Sequence, residues 1–170
     1  CLNYNLNVFT EINLIADGYE DNIKLAKEKG LVLFLSSTFL YRAEIEYIIS
    51  KVKKVRTPVN YLYHVGQYLP DWHPWESYKN FFASNIRTNG CREIFAIELP
   101  WIVTCFGNIK NVEAIKNKIS TLHIDYNDNY LVQIQHESGA KGILAVDVVS
   151  RKAVRKLEVY NEDMYLTWNG

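Results

Sequence analysis

The side chains best suited to chemistry in this 170-residue sequence lie in one short segment, residues 63–75. The segment holds two of the four histidines, two of the four tryptophans and two of the four prolines. An imidazole can accept a proton near neutral pH, and an indole ring can stack on a flat ligand face. The prolines stiffen the backbone that carries these groups. This composition predicts the wall of a binding pocket.

Each polar or aromatic residue of this segment has a functional and a structural interpretation. His64, at the end of a predicted strand, is a candidate catalytic proton acceptor, and the alternative is a hydrogen-bonded structural histidine. His73 is a candidate for substrate binding, with the same alternative. Trp72 would stack on a bound ring or anchor its loop to the core. Tyr63 and Gln67 are further candidates for substrate binding, because the Gln67 amide both donates and accepts hydrogen bonds.

Two charged residues outside the segment are also candidates. Glu98 lies on an otherwise apolar helix face, where a carboxylate is costly to bury without a partner. It is a catalytic candidate, and the alternative is an ion pair with a core arginine, either Arg151 or Arg155. Arg151, next to Lys152 at a strand end, is a candidate for binding a carboxylate or phosphate of a substrate, unless it is simply solvated.

Composition limits the classes of partner and location. Apolar residues make up 48% and charged residues 22%, which is typical of a globular protein, and 19 basic residues balance 19 acidic ones. We therefore expect no nucleic-acid partner. The apolar run 30–35 is too short to span a bilayer, so we expect no membrane partner. Cys1, Cys91 and Cys105 have no metal-binding spacing and predict reduced thiols, no metal site and a cytoplasmic location.

The first third of the chain alternates strand and helix patterns. A capping box of Asp17 and Glu20 predicts a helix start, and Gly30 predicts its end. The apolar run before residue 36 is typical of a strand that is buried on both faces. Alternation of this kind predicts a parallel α/β portion. The predicted elements are a strand at 6–10, a helix at 18–29, a strand at 31–35 and a helix at 41–52.

The remainder predicts an α+β arrangement. A strand at 59–65 is followed by a helix at 92–106, in which Pro100 causes a kink unless the helix begins near Glu98. These elements and the strands that follow favour an open, mostly antiparallel sheet with helices on one face. The other face is apolar enough that we expect a second subunit to cover it, giving a homo-oligomer. Five strands follow Gly107, at 111–121, 129–137, 141–149, 153–160 and 164–168.

This order of elements resembles the C-terminal portion of the glucose–fructose oxidoreductase / inositol dehydrogenase / MocA family over essentially the whole chain. Residues 8–14 fall where the family has a strand that ends in Glu-Lys-Pro. Residues 66–74 are similar to a family loop with Gly-Gln and Asp-Trp-x-Pro, and residues 89–107 fall where the family has a Gly-Gly start, a helix and a Phe-Gly end. The resemblance implies the truncated end of a Rossmann-type portion at 1–57. It also implies a dihydrodipicolinate-reductase-like domain at 58–170 for substrate binding and oligomerisation.

The resemblance also implies a function, although the sequence differs from the family's motifs at several positions. The full-length protein would be an oxidoreductase, an NAD- or NADP-dependent sugar dehydrogenase, with a sugar or sugar derivative as substrate. Glu11 and Ile12 occupy cofactor-side positions, and Ile12 stands where the family has a lysine. The family's acidic residue and histidine fall on Ile94 and on Ile97 or Glu98, and an isoleucine cannot accept a hydroxyl proton.

The start of the sequence and these differences from the family leave two interpretations, a dehydrogenase fragment and a non-catalytic relative. The chain opens without an initiator methionine and lacks a glycine-rich dinucleotide fingerprint, so we expect missing upstream residues, no bound cofactor and no turnover by this fragment. The alternative is a non-catalytic relative that binds a sugar or sugar acid, or a protein-interaction domain.

Overall fold

The computed structural model describes residues 1–12 and 14–170 of the chain, and this part contains three helices and eight strands. Short 3-10 turns occupy several of the connections. The helices are α1 (Tyr19–Lys29), α2 (Ala43–Val52) and α3 (Gly90–Phe106). The strands are β1 (Val8–Thr10), β2 (Leu33–Leu35), β3 (Asn60–Gly66), β4 (Ile109–Asn117), β5 (Asn129–His136), β6 (Lys141–Asp147), β7 (Val154–Tyr160) and β8 (Tyr165–Trp168).

The N-terminal elements form a small parallel unit. Strands β1 and β2 pair in parallel, and α1 connects them. Helix α1 ends at Gly30, whose left-handed backbone (φ 63°) is the predicted stop. The predicted capping box is wrong, because α1 begins at Tyr19 and its N-cap is the left-handed Gly18, which provides no side-chain cap. The Asp17 carboxylate instead accepts a hydrogen bond from Arg87, at 2.9 Å.

The larger sheet has six strands in the order β4-β5-β6-β3-β7-β8. The β3–β6 pair is parallel, and the other four pairs are antiparallel. The predicted α+β class with a mostly antiparallel sheet is therefore confirmed. Strand β4 stops at Asn117, earlier than predicted, because the Ile119 and Ser120 amides donate to the buried Asp128 carboxylate instead of continuing the ladder.

Helix α3 crosses one face of this sheet as a single element. The Asn89 side chain caps it by accepting from the Arg92 amide at 2.7 Å. The helix passes through Pro100 to Phe106, so the alternative start near Glu98 is wrong. Its continuity places residues of the first turns and of the last turns over opposite ends of β3.

The core lies between α2, α3 and the covered face of the sheet. On β3 the side chains of Tyr61, Tyr63 and Val65 alternate into this core and are almost fully buried. The Tyr61 ring stacks on Phe106 with centroids 4.2 Å apart. It also occupies the space where Gly142 of β6 lacks a side chain, so a Cβ at that glycine would overlap the ring.

The opposite face of the sheet is open. Leu62, Leu131 and Ile143 are 42–46% exposed there, so large apolar side chains face solvent on three neighbouring strands. The expected second subunit on this face stays a prediction. Among the described residues, no helix is both long and apolar enough to cross a membrane.

Candidate functional site

A cleft of about 420 Å³ opens where the end of β3, the first turns of α3 and the start of β7 meet. It combines an acid, a guanidinium, two amides and an indole with an apolar floor. Such a mixture of a few polar groups on an apolar surface is typical of small-molecule sites. The lining residues are Val65, Gly66, Gln67, Trp72, Glu93, Ile94, Ile97, Ala153, Val154, Arg155, Asn169 and Gly170.

The loop after β3 delivers Gln67 and Trp72 to this cleft. The Leu69 amide donates to the Val148 carbonyl at 2.9 Å, and the Leu69 side chain is buried, so the loop is fixed to the sheet. The Trp72 indole N–H donates to the Gln67 carbonyl at 3.1 Å and folds the ring back into the cleft. Trp72 therefore both anchors its loop and forms a wall of the cleft.

Glu93 is the acidic group of the cleft. It lies in the first turn of α3, and its Oε2 is buried without a hydrogen-bond partner in the described part of the chain. Burial raises the pKa of this carboxyl, while the charge of His73 lowers it. A carboxyl with a raised pKa can both accept and release a proton closer to neutral pH, which is the requirement for general acid–base chemistry.

Arg155 is the basic group of the cleft, and Glu98 holds it from below. Its Nε and Nη2 donate to the Glu98 Oε1 at 3.1 and 2.9 Å. The other carboxylate oxygen of Glu98 accepts from the Tyr63 hydroxyl and the Trp101 indole, both at 2.7 Å. The structure therefore shows an ion pair of Glu98 with Arg155 instead of Arg151, and the catalytic role of Glu98 stays a prediction.

Glu98 and Tyr63 lie beneath the cleft. Glu98 is fully buried, and the Arg155 side chain above it is 30% exposed. Burial, and secondly the negative Glu98, raises the pKa of the Tyr63 phenol, which therefore remains a hydrogen-bond donor to that carboxylate. Any effect of these two residues on a ligand is thus transmitted through the guanidinium of Arg155.

His73 lies beside the cleft in the same loop as Trp72. Its Nδ1 is 2.8 Å from the Glu76 carboxylate. Its ring stacks on Trp75 with centroids 4.8 Å apart and contacts Phe81 at 4.0 Å. These contacts hold the imidazole in one orientation, and its charge lowers the pKa of Glu93.

His64 lies on the open face of the sheet, on the opposite side from the cleft. Its Nε2 is 2.7 Å from the Asp147 carboxylate. Burial opposes ionisation of Asp147, but hydrogen bonds from His64 and from the Val149 and Ser150 amides outweigh it and hold the pKa of Asp147 below its usual value. The structure does not bring His64 together with Glu98 or Glu93, and its catalytic role stays a prediction.

The other predicted site residues lie outside the cleft lining. The Arg151 guanidinium is exposed and stacks over the Tyr68 ring at 4.1 Å. Glu11 is exposed and Ile12 is half-buried, directly after β1. Their predicted roles remain predictions.

Sequence reasoning missed Glu93 and Arg155 as cleft residues. Glu93 precedes Ile97 by four positions, and residues four apart share one face of a helix. Because the family's histidine aligns with Ile97 or Glu98, this spacing could have identified Glu93. No comparable spacing in the sequence connects Arg155 to the cleft, since β7 reaches it only through the sheet.

Metal ions and dinucleotides both need particular residues at particular spacings. Within residues 1–12 and 14–170, no group of three His, Cys, Asp or Glu side chains could hold a metal ion. A dinucleotide site of the Rossmann type needs a glycine-rich turn between a strand and its helix. The connection from β1 to α1 has a single glycine, Gly18. The connection from β1 to α1 therefore lacks the glycine-rich turn of a Rossmann-type dinucleotide site.

Comparisons with known proteins show the fold to which this cleft belongs. A scan against models of protein families gives no match, and no curated protein matches the sequence. Solved structures do match. The WlbA dehydrogenase from Bordetella pertussis, in complex with NADH and UDP-GlcNAcA, is 13% identical with a TM-score of 0.81, and the match covers 99% of this chain and 53% of that protein.

Two further structures agree. UDP-N-acetylglucosamine 3-dehydrogenase GnnA from Acidithiobacillus ferrooxidans is 15% identical with a TM-score of 0.70, covering 99% of this chain and 51% of that one. GenD2 from gentamicin A biosynthesis, in complex with NAD, is 18% identical with a TM-score of 0.75, covering 99% and 49%. The chain thus spans about half the length of these proteins. It has the fold of the C-terminal domain of dehydrogenases of the glucose–fructose oxidoreductase / inositol dehydrogenase / MocA type.

Proposed function

We propose that this chain is the substrate-binding domain of a nicotinamide-dependent dehydrogenase that acts on a sugar derivative. The observation that carries the proposal is the cleft that Glu93 lines together with Arg155 and Trp72, where Oε2 of Glu93 has no hydrogen-bond partner among the described residues. Structural neighbours with this fold include a complex with NADH and UDP-GlcNAcA and a UDP-N-acetylglucosamine 3-dehydrogenase, which supports the substrate class.

The cleft residues have complementary roles in this proposal. Trp72 offers an apolar face to a sugar ring, and Gln67 forms hydrogen bonds with hydroxyl groups. Arg155, fixed by Glu98, pairs with a carboxylate or phosphate of the substrate. Glu93 accepts the proton of the hydroxyl group that is oxidised, which is the role left open by Ile12 and Ile97.

The N-terminal unit supports the proposal that 1–57 completes a Rossmann-type domain and 58–170 forms the substrate domain. Parallel sheets are normally covered on both faces. The β1–β2 pair instead exposes Phe9 by 69%, stacked on Phe34 at a centroid distance of 5.7 Å. In the full-length protein, further strands would extend this pair, and that domain would bind NAD or NADP.

The open face of the large sheet supports the proposal of a homo-oligomer. Leu62, Leu131 and Ile143 form an apolar surface that a second copy of the chain would cover. Light scattering at micromolar concentration should give twice the mass of one chain. A single-chain mass at that concentration would contradict the proposal.

A second candidate function is a non-catalytic receptor for a sugar or sugar acid. The observation that favours it is Ile12, which replaces the lysine expected from the resemblance. This candidate uses the same cleft, so ligand binding alone does not separate it from the dehydrogenase.

Calorimetric titration of this chain with UDP-GlcNAcA, UDP-N-acetylglucosamine and UDP tests the shared claim. We expect Trp72→Ala to weaken binding of the sugar nucleotide about tenfold, from the loss of about 1.4 kcal/mol of ring contact. Trp75→Ala is the matched control, because Trp75 is 77% exposed and is not among the lining residues. Equal losses in the two variants, or no binding of any of the three compounds at millimolar concentration, would contradict the proposal.

The two candidates are separated in the full-length protein with nicotinamide cofactor. If the dehydrogenase assignment is correct, Glu93→Gln abolishes turnover while affinity for the sugar nucleotide falls only a few-fold. If the protein binds the sugar nucleotide without any turnover in the unmodified form, the receptor assignment replaces it.

A further inference from the structure

Arg155 of the cleft contacts an aromatic ring as well as a carboxylate. Its Cζ lies over the Phe39 ring, 4.6 Å from the ring centroid. The face of an aromatic ring is negative, so it attracts a guanidinium placed over it. Because Phe39 is buried, this contact is partly shielded from water, which strengthens the attraction.

The hydrogen bonds from Arg155 to Glu98 do not fix the guanidinium by themselves. Nε and Nη2 both donate to one oxygen, Oε1, at 3.1 and 2.9 Å. In a bidentate pair each N–H group binds its own oxygen, and this sets the plane of the guanidinium. Here the second oxygen of Glu98 accepts from Tyr63 and Trp101 instead. The guanidinium can therefore pivot about Oε1 unless a second contact holds it, and Phe39 provides that contact.

Phe39 is itself held in place by the core. It lies in the 3-10 turn Thr38–Tyr41, between β2 and α2, and therefore in the N-terminal segment of the chain. Its ring meets Trp168 of β8 edge-on, with centroids 6.3 Å apart. The Arg42 guanidinium also lies 4.6 Å from the Phe39 centroid, but its side chain is 46% exposed and pairs with Glu44 at 3.6 Å. The Phe39 ring thus connects the N-terminal segment to the cleft through Arg155.

We propose that Phe39 is a positioning residue for Arg155 and sets how strongly the cleft binds an anionic group of the substrate. The inference rests on the proposed function, in which Arg155 pairs with a carboxylate or phosphate. A guanidinium has five N–H groups, and Glu98 engages two of them. With Glu98 and Phe39 both in contact with it, the guanidinium offers its other N–H groups in one orientation. Less side-chain freedom is then lost when the anion binds.

A change of ring electronics at nearly constant shape tests the contact in the free chain. Pentafluorophenylalanine in place of Phe39 makes the ring face positive, so that it repels the guanidinium. The same replacement of Phe34 is the control, because Phe34 stacks on Phe9 and is not among the residues that line the cleft. Nuclear magnetic resonance gives the rate at which the Nε–H of Arg155 exchanges with water. We expect fluorinated Phe39 to raise this rate about fivefold and fluorinated Phe34 to leave it unchanged.

Calorimetric titration with UDP-GlcNAcA, UDP-N-acetylglucosamine and UDP identifies the anionic group. If Arg155 binds the sugar carboxylate, fluorinated Phe39 weakens binding of UDP-GlcNAcA about fivefold and leaves that of UDP-N-acetylglucosamine nearly unchanged. If Arg155 binds the diphosphate, binding of all three compounds weakens by the same factor. In the double variant Glu98→Gln with Arg155→Met, fluorinated Phe39 should have no further effect on any affinity, because the guanidinium that it positions is gone.

Three results would overturn the inference. The first is an unchanged Nε–H exchange rate of Arg155 with fluorinated Phe39. The second is an unchanged affinity for all three compounds. The third is an equal loss of affinity with and without Arg155, which would mean that the ring acts through general packing. Absence of sugar-nucleotide binding by the unmodified chain would contradict the proposed function, but it would leave the exchange measurement unaffected, so the two failures are distinguishable.

Discussion

Replacing Arg155 with methionine should destabilise the protein more than any other substitution in the cleft. The change leaves the fully buried carboxylate of Glu98 with the hydrogen bonds from Tyr63 and Trp101 alone. It removes two hydrogen bonds and the countercharge from Oε1. The methionine retains most of the apolar contact of the arginine stem, so the effect reports the lost charge pair.

The magnitude follows from the burial of the pair. Breaking a buried ion pair by removing one partner costs about 3–5 kcal/mol. Because the Arg155 side chain is 30% exposed, water can reach the vacated side of Glu98, and we expect the lower end, about 3 kcal/mol. In the double variant Glu98→Gln with Arg155→Met, no buried charge is left unpaired. We therefore expect the free energy of unfolding of the double variant to be at least about 1 kcal/mol higher than that of Arg155→Met alone.

Urea denaturation followed by circular dichroism gives the free energy of unfolding of the four proteins in this cycle. Lys156→Met is a suitable control, since Lys156 is the neighbouring basic residue of β7 and forms an exposed pair with Glu158. A loss below about 1 kcal/mol for Arg155→Met would refute the reasoning. Strictly additive effects in the cycle would refute it as well, because they would mean that the two residues are energetically independent.

Three further predictions concern the core. His136 donates to the Gly107 carbonyl and accepts from Tyr61, and burial lowers its pKa. The imidazole of His136 is therefore protonated more readily in the unfolded chain than in the folded one. Stability should therefore fall as pH decreases through the unfolded value of about 6.5, and His136→Gln should reduce that slope in urea titrations. Gly142→Ala should cost about 1–3 kcal/mol in the same assay, because its Cβ overlaps the Tyr61 ring, and an unchanged midpoint would contradict this packing. Burial raises the pKa of Cys105 to about 12, so Ellman's reagent should label one of the three cysteines in the native chain and all three in urea; rapid labelling of two would contradict the buried thiols.

Most helices and strands could be predicted from the local sequence pattern. The alternation along β3 and the left-handed Gly30 are properties of neighbouring residues, and they gave correct elements. The errors have long-range causes. Asp17 does not cap α1 because the N-cap position is Gly18, and the Asp17 carboxylate pairs with Arg87, which is distant in sequence. Strand β4 ends early because Asp128 captures two amides that would otherwise pair with β5.

The candidate site was only partly predictable for the same reason. Gln67 and Trp72 were identified because one loop carries both. Glu93 was not, because its exposure depends on how that loop packs over α3. The sequence was enough to predict that His64 points to the open face of the sheet. Neighbouring residues of a strand point to opposite faces, and Tyr63 and Val65 on either side of His64 are core residues.

The central claim is that the cleft between β3, α3 and β7 binds a sugar derivative, and amide chemical-shift mapping tests it most directly. Titration of the labelled chain with UDP-GlcNAcA should perturb amides at 66–67, at 93–97 and at 153–155, together with the indole N–H of Trp72. Glu93→Gln should keep the same pattern of perturbed amides. Perturbations confined to the open face of the sheet around Leu62 and Ile143, or none at millimolar ligand, would contradict the account.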